Sequence, residues 1–288
     1  CRCVFQSRAA HEIRVKFNMM TPLNPEKLLH ARCFLLDMDG TFYLGGQLLP
    51  GAVEFLQLLD QRGVPYLFLT NNSSRDRKEY ARKLQRLGVD VPEEKIFTSG
   101  EATAIYLSRR RPGARLYVAG TPTLEQELAR HGFTLTEDAP DFAVLGFDTT
   151  LTYAKIWKLC DLVTAGVPLI ATHPDINCPT ETGFMPDIGA MLAMIATSTG
   201  IHPEVIVGKP NRPIVDALAD KLTLPVEQLC MVGDRLYTDI ALGQTGLTTV
   251  LVLSGETHLA DLETSPFQPD FVMRDLAELV QTIVDASI

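Results

Sequence analysis

Short apolar runs that stop on a polar residue, separated by stretches of helical periodicity, are the strongest constraint this sequence places on its fold. Cys33–Leu36 runs into Asp37, and Tyr66–Leu69 runs into Thr70. Four consecutive apolar residues without polar alternation predict strands buried on both faces. Between them, Val53, Phe55, Leu56, Leu58 and Leu59 form a helical face that ends at Gly63, a residue suited to a left-handed cap. After Thr70, Ser73 with Asp76 three residues later reads as a capping box, and Tyr80, Leu84 and Leu87 recur at helical spacing before Gly88. The pattern returns near the C-terminus: Val205–Val207, a helix through Ile214, Leu218 and Leu222, then Leu229–Val232, Thr249–Leu253 and Phe271 before a closing helix. This alternation predicts an α/β fold with a doubly wound parallel sheet covered by helices. Middle strands are expected at Leu116–Ala119, Phe142–Leu145 and Leu169–Thr172, either continuing that sheet or forming a second domain. The stripe Tyr153, Ile156, Trp157 and Cys160 reads as a helix face turned to the core.

Composition narrows the class. At 288 residues the chain is long enough for two domains, and 46% hydrophobic with 21% charged residues excludes a disordered or fibrous chain. A net charge of -9 opposes general attraction to nucleic acid or anionic membrane, so neither is an expected partner. No apolar run approaches the roughly 18 residues that span a bilayer. Cys1, Cys3, Cys33, Cys160, Cys178 and Cys230 lack the density and spacing of a disulfide framework or zinc knuckle, so reduced thiols and a cytoplasmic location are expected. Residues 1–18 carry Arg2, Arg8, Arg14 and Lys16 against one acidic residue, Glu12, with no clear periodicity. They read as a poorly ordered extension ahead of Met19 and Met20, outside the fold.

Four strand ends carry unusual polar groups: Asp37-Met38-Asp39-Gly40-Thr41, Thr70-Asn71-Asn72-Ser73, Gly208-Lys209-Pro210, and Gly233-Asp234 followed by Asp239. Open parallel sheets bind ligands beyond the carboxyl ends of their strands, so these groups are expected to converge. Asp-x-Asp alone is a weak signal, since turns and caps use the same residues. With Gly40 permitting a sharp turn, however, two carboxylates at a strand end are costly unless a cation joins them. Asp234 adds a third carboxylate, and an oxygen-rich set suits Mg2+ better than zinc. The Thr70 hydroxyl, the amides near Asn71 and Asn72, and the Lys209 ammonium can bind phosphoryl oxygens. Asp239 either caps the helix containing Ile240, Ala241 and Leu242 or supports the site; both readings stand.

In order and spacing these four motifs resemble the haloacid dehalogenase superfamily, in its NagD-like, p-nitrophenylphosphatase-like branch (subfamily IIA), from about residue 24 to the C-terminus. That resemblance implies a phosphatase in which Asp37 attacks phosphorus to form an aspartyl phosphate, while Asp39 protonates the leaving oxygen and then activates water. Thr70 and Lys209 would hold the phosphoryl group. Asp37, the Asp39 carbonyl and Asp234 would hold Mg2+, with Asp239 in support. It also implies a core domain of residues 19–112 and 186–288, interrupted by an inserted α/β cap at 113–185. A large cap favours small phosphorylated metabolites, such as sugar phosphates or nucleotides, over phosphoproteins. Within the cap, Thr172-His173-Pro174-Asp175 follows a strand where the family places a substrate loop, so His173 and Asp175 are specificity candidates, with an exposed turn as the competing reading. The sequence departs from the family around Pro186-Asp187-Ile188, where small residues are usual. A homodimer through the cap is left open. A dehalogenase would have no need of Asp39; a phosphomutase or a non-catalytic phosphometabolite sensor could share the whole set.

Overall fold

The structure, a computed structural model, describes residues 26–180 and 183–287, so the extension expected over residues 1–18 lies outside the described residues. Along the chain the elements are α1 (Glu26–His30), β1 (Cys33–Leu36), β2 (Tyr43–Leu44), β3 (Gln47–Leu48), α2 (Ala52–Gln61), β4 (Tyr66–Thr70), α3 (Arg77–Arg86), β5 (Ile96–Thr98) and α4 (Ser99–Arg110). Then follow β6 (Arg115–Ala119), α5 (Pro122–Arg130), β7 (Thr134–Leu135), β8 (Phe142–Leu145), α6 (Tyr153–Thr164), β9 (Leu169–Ala171), β10 (Asn177–Thr180), β11 (Gly183–Pro186) and α7 (Ile188–Thr199). The chain closes with β12 (Val205–Ile206), α8 (Arg212–Leu222), β13 (Leu229–Gly233), β14 (Thr248–Val252), β15 (Phe271–Met273) and α9 (Leu276–Asp285). Residues cluster into two compact units, one running up to Leu69 and resuming at Thr223, the other Thr70–Leu222. The insertion expected at 113–185 lies within the second. Among the described residues no helix is long and apolar enough to cross a membrane.

In the first unit the strands run in the order β15-β14-β13-β1-β4, all parallel. The central strands explain their own composition. Every residue of β1 and of β13 is buried, which leaves no face for a polar side chain. The chain passes from β1 to β4 on one side, while β13, β14 and β15 extend on the other. The boundary between β1 and β13 is therefore a topological switch point, where the crevice beyond the strand ends opens to a ligand. Helix α2 buries Phe55, Leu56, Leu58 and Leu59 and packs against α9, while Val53 on the predicted face stays exposed.

The second unit holds a five-stranded parallel sheet, β12-β9-β8-β6-β7, and an antiparallel hairpin of β10 and β11. Three sequence expectations change here. The two residues of β12 pair with β9 in this sheet, whereas the alternation had grouped Val205–Val207 with the C-terminal strands; a run this short carries no signal of its partner. The capping box of α3 is made by Asp76 and Glu79, not Ser73 and Asp76, because Ser73 is buried and used elsewhere. On α6 the buried face is Ile156, Leu159, Leu162 and Val163, while Tyr153 and Trp157 are exposed. Position 153 is the first residue of that helix, so the register of its core stripe is set by residues beyond it.

Leu35 is fully buried in β1 between β13 and β4. Leu35→Ala is expected to lower the unfolding free energy by about 3 kcal/mol in urea titrations followed by circular dichroism, whereas Leu44→Ala, at an exposed hairpin position, should change it by less than about 0.5 kcal/mol.

Candidate active site

At the end of β1 the ladder continues one residue further: the Asp37 N–H donates to the Val232 carbonyl at 2.9 Å, so the Asp37 side chain leaves from a fixed main chain. The chain then folds back sharply. Phe42 and Tyr43 both donate to the Met38 carbonyl at 2.9 and 3.1 Å, and Gly40, at φ +88°, donates to the Tyr43 carbonyl at 2.8 Å. The turn leaves Asp39 exposed, its Oδ2 accepting from the Tyr43 hydroxyl at 3.2 Å.

Neighbouring β13 ends at Gly233, and Asp234 follows, 2% exposed. Its Oδ1 accepts from the Thr41 hydroxyl at 3.3 Å and its Oδ2 from the Glu256 N–H at 2.7 Å. Asp239 is fully buried and its Oδ2 accepts from the Arg235 N–H at 3.1 Å. It makes no side-chain cap bond to the 3-10 turn Ile240–Thr245 that follows it, so the capping reading fails. Carboxylate oxygens of Asp37, Asp234 and Asp239 all lie within 4.8 Å of one another. Burial, and then the charges of Asp37 and Asp239, push the Asp234 carboxyl up to about 8, against the opposing Glu256 N–H and the Arg235 cation. Arg235 is in turn held above the usual guanidinium range: burial pulls it down, but the carboxylates around it, Asp37 foremost, more than offset that.

The packing leaves no slack around Asp234. A Cβ on Gly40 would stand 2.3 Å from Asp234 Oδ2, and one on Gly255 only 1.9 Å from it. Three crowded oxygen donors with one carboxyl pushed toward its neutral form are what a hard divalent cation would relieve, so the residues present fit Mg2+.

The second unit gathers the other predicted groups. After β4, the Thr70 Oγ1 accepts from the Asn72 N–H at 3.2 Å, and Asn72 Oδ1 accepts from the Ser74 N–H and hydroxyl at 2.8 and 2.7 Å. Asn71 is buried and clamps the main chain of Lys209 from both sides. Its Oδ1 accepts from the Lys209 N–H at 2.8 Å, and its Nδ2 donates to the Lys209 carbonyl at 2.9 Å and to Asp175 Oδ1 at 3.0 Å. Lys209 is 2% exposed. The side chain of Asn71 thus serves Lys209 and Asp175.

His173, expected either to contact substrate or to sit in an exposed turn, is fully buried. Its Nδ1 meets Thr172 Oγ1 at 3.1 Å and its Nε2 meets Asp187 Oδ1 at 3.0 Å, so neither ring nitrogen faces solvent. Ser73, Thr172 and Asp187 were not singled out as site residues. The one signal for Asp187 was its departure from the family pattern.

Two family models match the chain: a haloacid dehalogenase-like hydrolase model over residues 34–134 and a HAD-hydrolase-like model over residues 206–279. The 5'-nucleotidase YutF of Bacillus subtilis is 36% identical over 251 residues, covering 87% of this chain and 98% of its own. An acid sugar phosphatase of Staphylococcus aureus is 35% identical, covering 86% and 96%. Among solved structures, 4-nitrophenylphosphatase from Thermotoga maritima superposes with a TM-score of 0.86 at 47% identity, covering 89% of this chain and 99% of its own. NagD from Escherichia coli K-12 gives 0.80 at 37%, covering 86% and 98%. The chain belongs to the haloacid dehalogenase-like hydrolases, in their NagD-like, p-nitrophenylphosphatase-like subfamily IIA.

Proposed function

We propose that this protein is a Mg2+-dependent phosphatase of small phosphorylated metabolites, working through an aspartyl phosphate on Asp37. The observation that carries the reading is the cluster of Asp37, Asp234 and Asp239 carboxylates at the switch point between β1 and β13, with Asp39 two residues beyond Asp37. The names of the relatives, a 5'-nucleotidase, an acid sugar phosphatase and a 4-nitrophenylphosphatase, support phosphomonoesters as the substrate class.

Asp37, Asp234 and the Asp39 carbonyl would hold the cation, with the Asp239 carboxylate in support. Mg2+, when bound, offsets the negative charge of the phosphoryl oxygens and of Asp37, so that one anion can approach the other. In the first displacement a carboxylate oxygen of Asp37 bonds to phosphorus as the ester P–O bond breaks, and Asp39 gives its proton to the departing oxygen. In the second, Asp39 takes a proton from water, the hydroxyl bonds to phosphorus, and the P–O bond to Asp37 breaks to release phosphate. Tyr43 fixes the Asp39 carboxylate for both transfers through its hydroxyl bond to Oδ2. The Thr70 hydroxyl and the Lys209 ammonium are assigned to the phosphoryl oxygens on the order and type of the motifs. The segment 113–185 is read as the cap that excludes water and large substrates.

Release of phosphate from p-nitrophenyl phosphate tests the chemistry. Turnover should require Mg2+ and proceed without a sugar diphosphate activator; Asp39→Asn should lose about 10²- to 10⁴-fold in kcat, and Asp37→Asn at least as much. Ligand binding without turnover would instead indicate a sensor, and dependence on the activator a mutase.

Stability gives a second, independent test. The Asp234 carboxyl is raised in the fold from 3.8 to about 8, so between those values the native state holds a proton that the unfolded chain has lost. Its contribution to stability is complete below the lower value and disappears as pH rises through the upper one. Without metal, the melting temperature should therefore fall as pH rises from about 4 to 8. Mg2+ competes with that proton, so the increase it produces should be larger at high than at low pH and should shrink in Asp234→Asn. An equal increase at both pH values would count against Asp234 as a ligand.

A further inference from the structure

Five groups in the interior of the second unit form one continuous chain of hydrogen bonds. The Phe147 N–H donates to Ser73 Oγ at 2.9 Å; Ser73 Oγ lies 2.9 Å from Thr172 Oγ1; Thr172 Oγ1 lies 3.1 Å from His173 Nδ1. Across the ring, His173 Nε2 lies 3.0 Å from Asp187 Oδ1, which also accepts from the Ile188 N–H at 2.6 Å. Phe147 N–H donates at one end and the Asp187 carboxylate accepts at the other, and the two hydroxyls and the imidazole between them each have a partner on both sides. A buried carboxylate and imidazole are tolerated here because both are satisfied and because Asp187 stands at the N-terminus of the twelve-residue helix α7.

The same pair fastens the turn between β9 and β10. Asp187 N–H donates to the Ile176 carbonyl at 2.9 Å and Gly189 N–H to the Asp175 carbonyl at 2.7 Å. The approach is close enough that a Cβ on Gly189 would lie 2.6 Å from the Pro174 carbonyl oxygen. On its other side the turn meets the Lys209 segment: Thr172 O accepts from the Gly208 N–H at 2.8 Å, and Asp175 Oδ1 accepts from Asn71 Nδ2. With the Asn71 amide reversed, its oxygen would face the Asp175 carboxylate and the Lys209 carbonyl, and its NH2 would face the Lys209 N–H. Asp175 therefore holds the Asn71 amide, together with the Lys209 main chain, in the one orientation that brackets Lys209.

We propose that the buried His173–Asp187 pair is a positioning device: it locks the Thr172–Ile176 turn, so that Asp175 orients the Asn71 amide and the amide sets the main chain of Lys209. The proposal rests on the reading of Lys209 as a phosphate ligand. Neither His173 nor Asp187 touches substrate; both act through Asp175 and Asn71.

The test uses the full chain with Mg2+, reading KM and kcat for p-nitrophenyl phosphate, the competitive Ki of inorganic phosphate, and the melting temperature. Asp187→Ala is expected to raise KM and phosphate Ki together by about tenfold, the scale of one lost hydrogen bond to a charged group, with a smaller change in kcat. Asp187→Asn keeps an acceptor at Oδ1 for His173 and Ile188 and should restore KM and Ki to near the parent values. If Asp187→Ala is recovered only unfolded, His173→Gln, whose amide cannot span from Thr172 to Asp187, carries the same expectation. A lower melting temperature with KM and Ki unchanged would show a merely structural pair and overturn the proposal, as would an Asp187→Asn chain that behaves like Asp187→Ala. Lys209→Ala separates the two levels of the reading. If it binds phosphate like the parent, the ligand assignment fails and the proposal falls with it; if it loses phosphate while Asp187→Ala keeps it, only the positioning role is lost.

Discussion

Repulsion among the Asp37, Asp234 and Asp239 carboxylates, whose oxygens lie within 4.8 Å, sets the terms for the rest of the first unit. At about 4 Å each pair of full charges costs about 4 kcal/mol for an effective dielectric near 20. The bonds from Thr41, Glu256 and Arg235 offset part of this. They do not offset all of it, since the Asp234 carboxyl still sits at about 8. The cluster is thus a place where a proton or a cation would each relieve the same repulsion.

The architecture that tolerates this strain is a parallel ladder with β1 and β13 side by side at the switch point. Fully buried strands hold their ends in register, Leu36 opposite Val232, so the carboxylates that follow cannot drift apart to relieve their charge. Tight backbone approaches complete the confinement. Gly40 and Gly255 both stand where any side chain would enter the Asp234 carboxylate, and Gly40 also adopts the left-handed conformation its turn requires.

Much of this was legible in the sequence because central parallel strands have no exposed face: Cys33–Leu36 and Leu229–Val232 read as continuous apolar runs, and the polar residues after them mark the strand ends. The acid cluster followed from that placement. What local pattern could not supply was the partner of each element. Val205–Ile206 has two residues and joins β9; Ser73 looks like a cap yet spends its hydroxyl on Phe147 and Thr172; the α6 stripe was read one step off because Tyr153 and Trp157 are aromatic but exposed. His173 illustrates the same limit. Followed by Pro174 it resembles a surface turn, and only the approach of Asp187, fourteen positions later, makes it a buried and fully bonded residue.

Membership in the haloacid dehalogenase-like hydrolases leaves the proposed covalent role of Asp37 for experiment to decide. That role is tested most directly by mixing enzyme, Mg2+ and a phosphomonoester, quenching during turnover with borohydride, and mapping the modified residue by peptide mass spectrometry. An acyl phosphate is reduced where a free carboxylate is not, so the account predicts conversion of Asp37 to homoserine, dependent on both substrate and Mg2+. Turnover with Asp37 unmodified, or with the label on Asp39 instead, would contradict it.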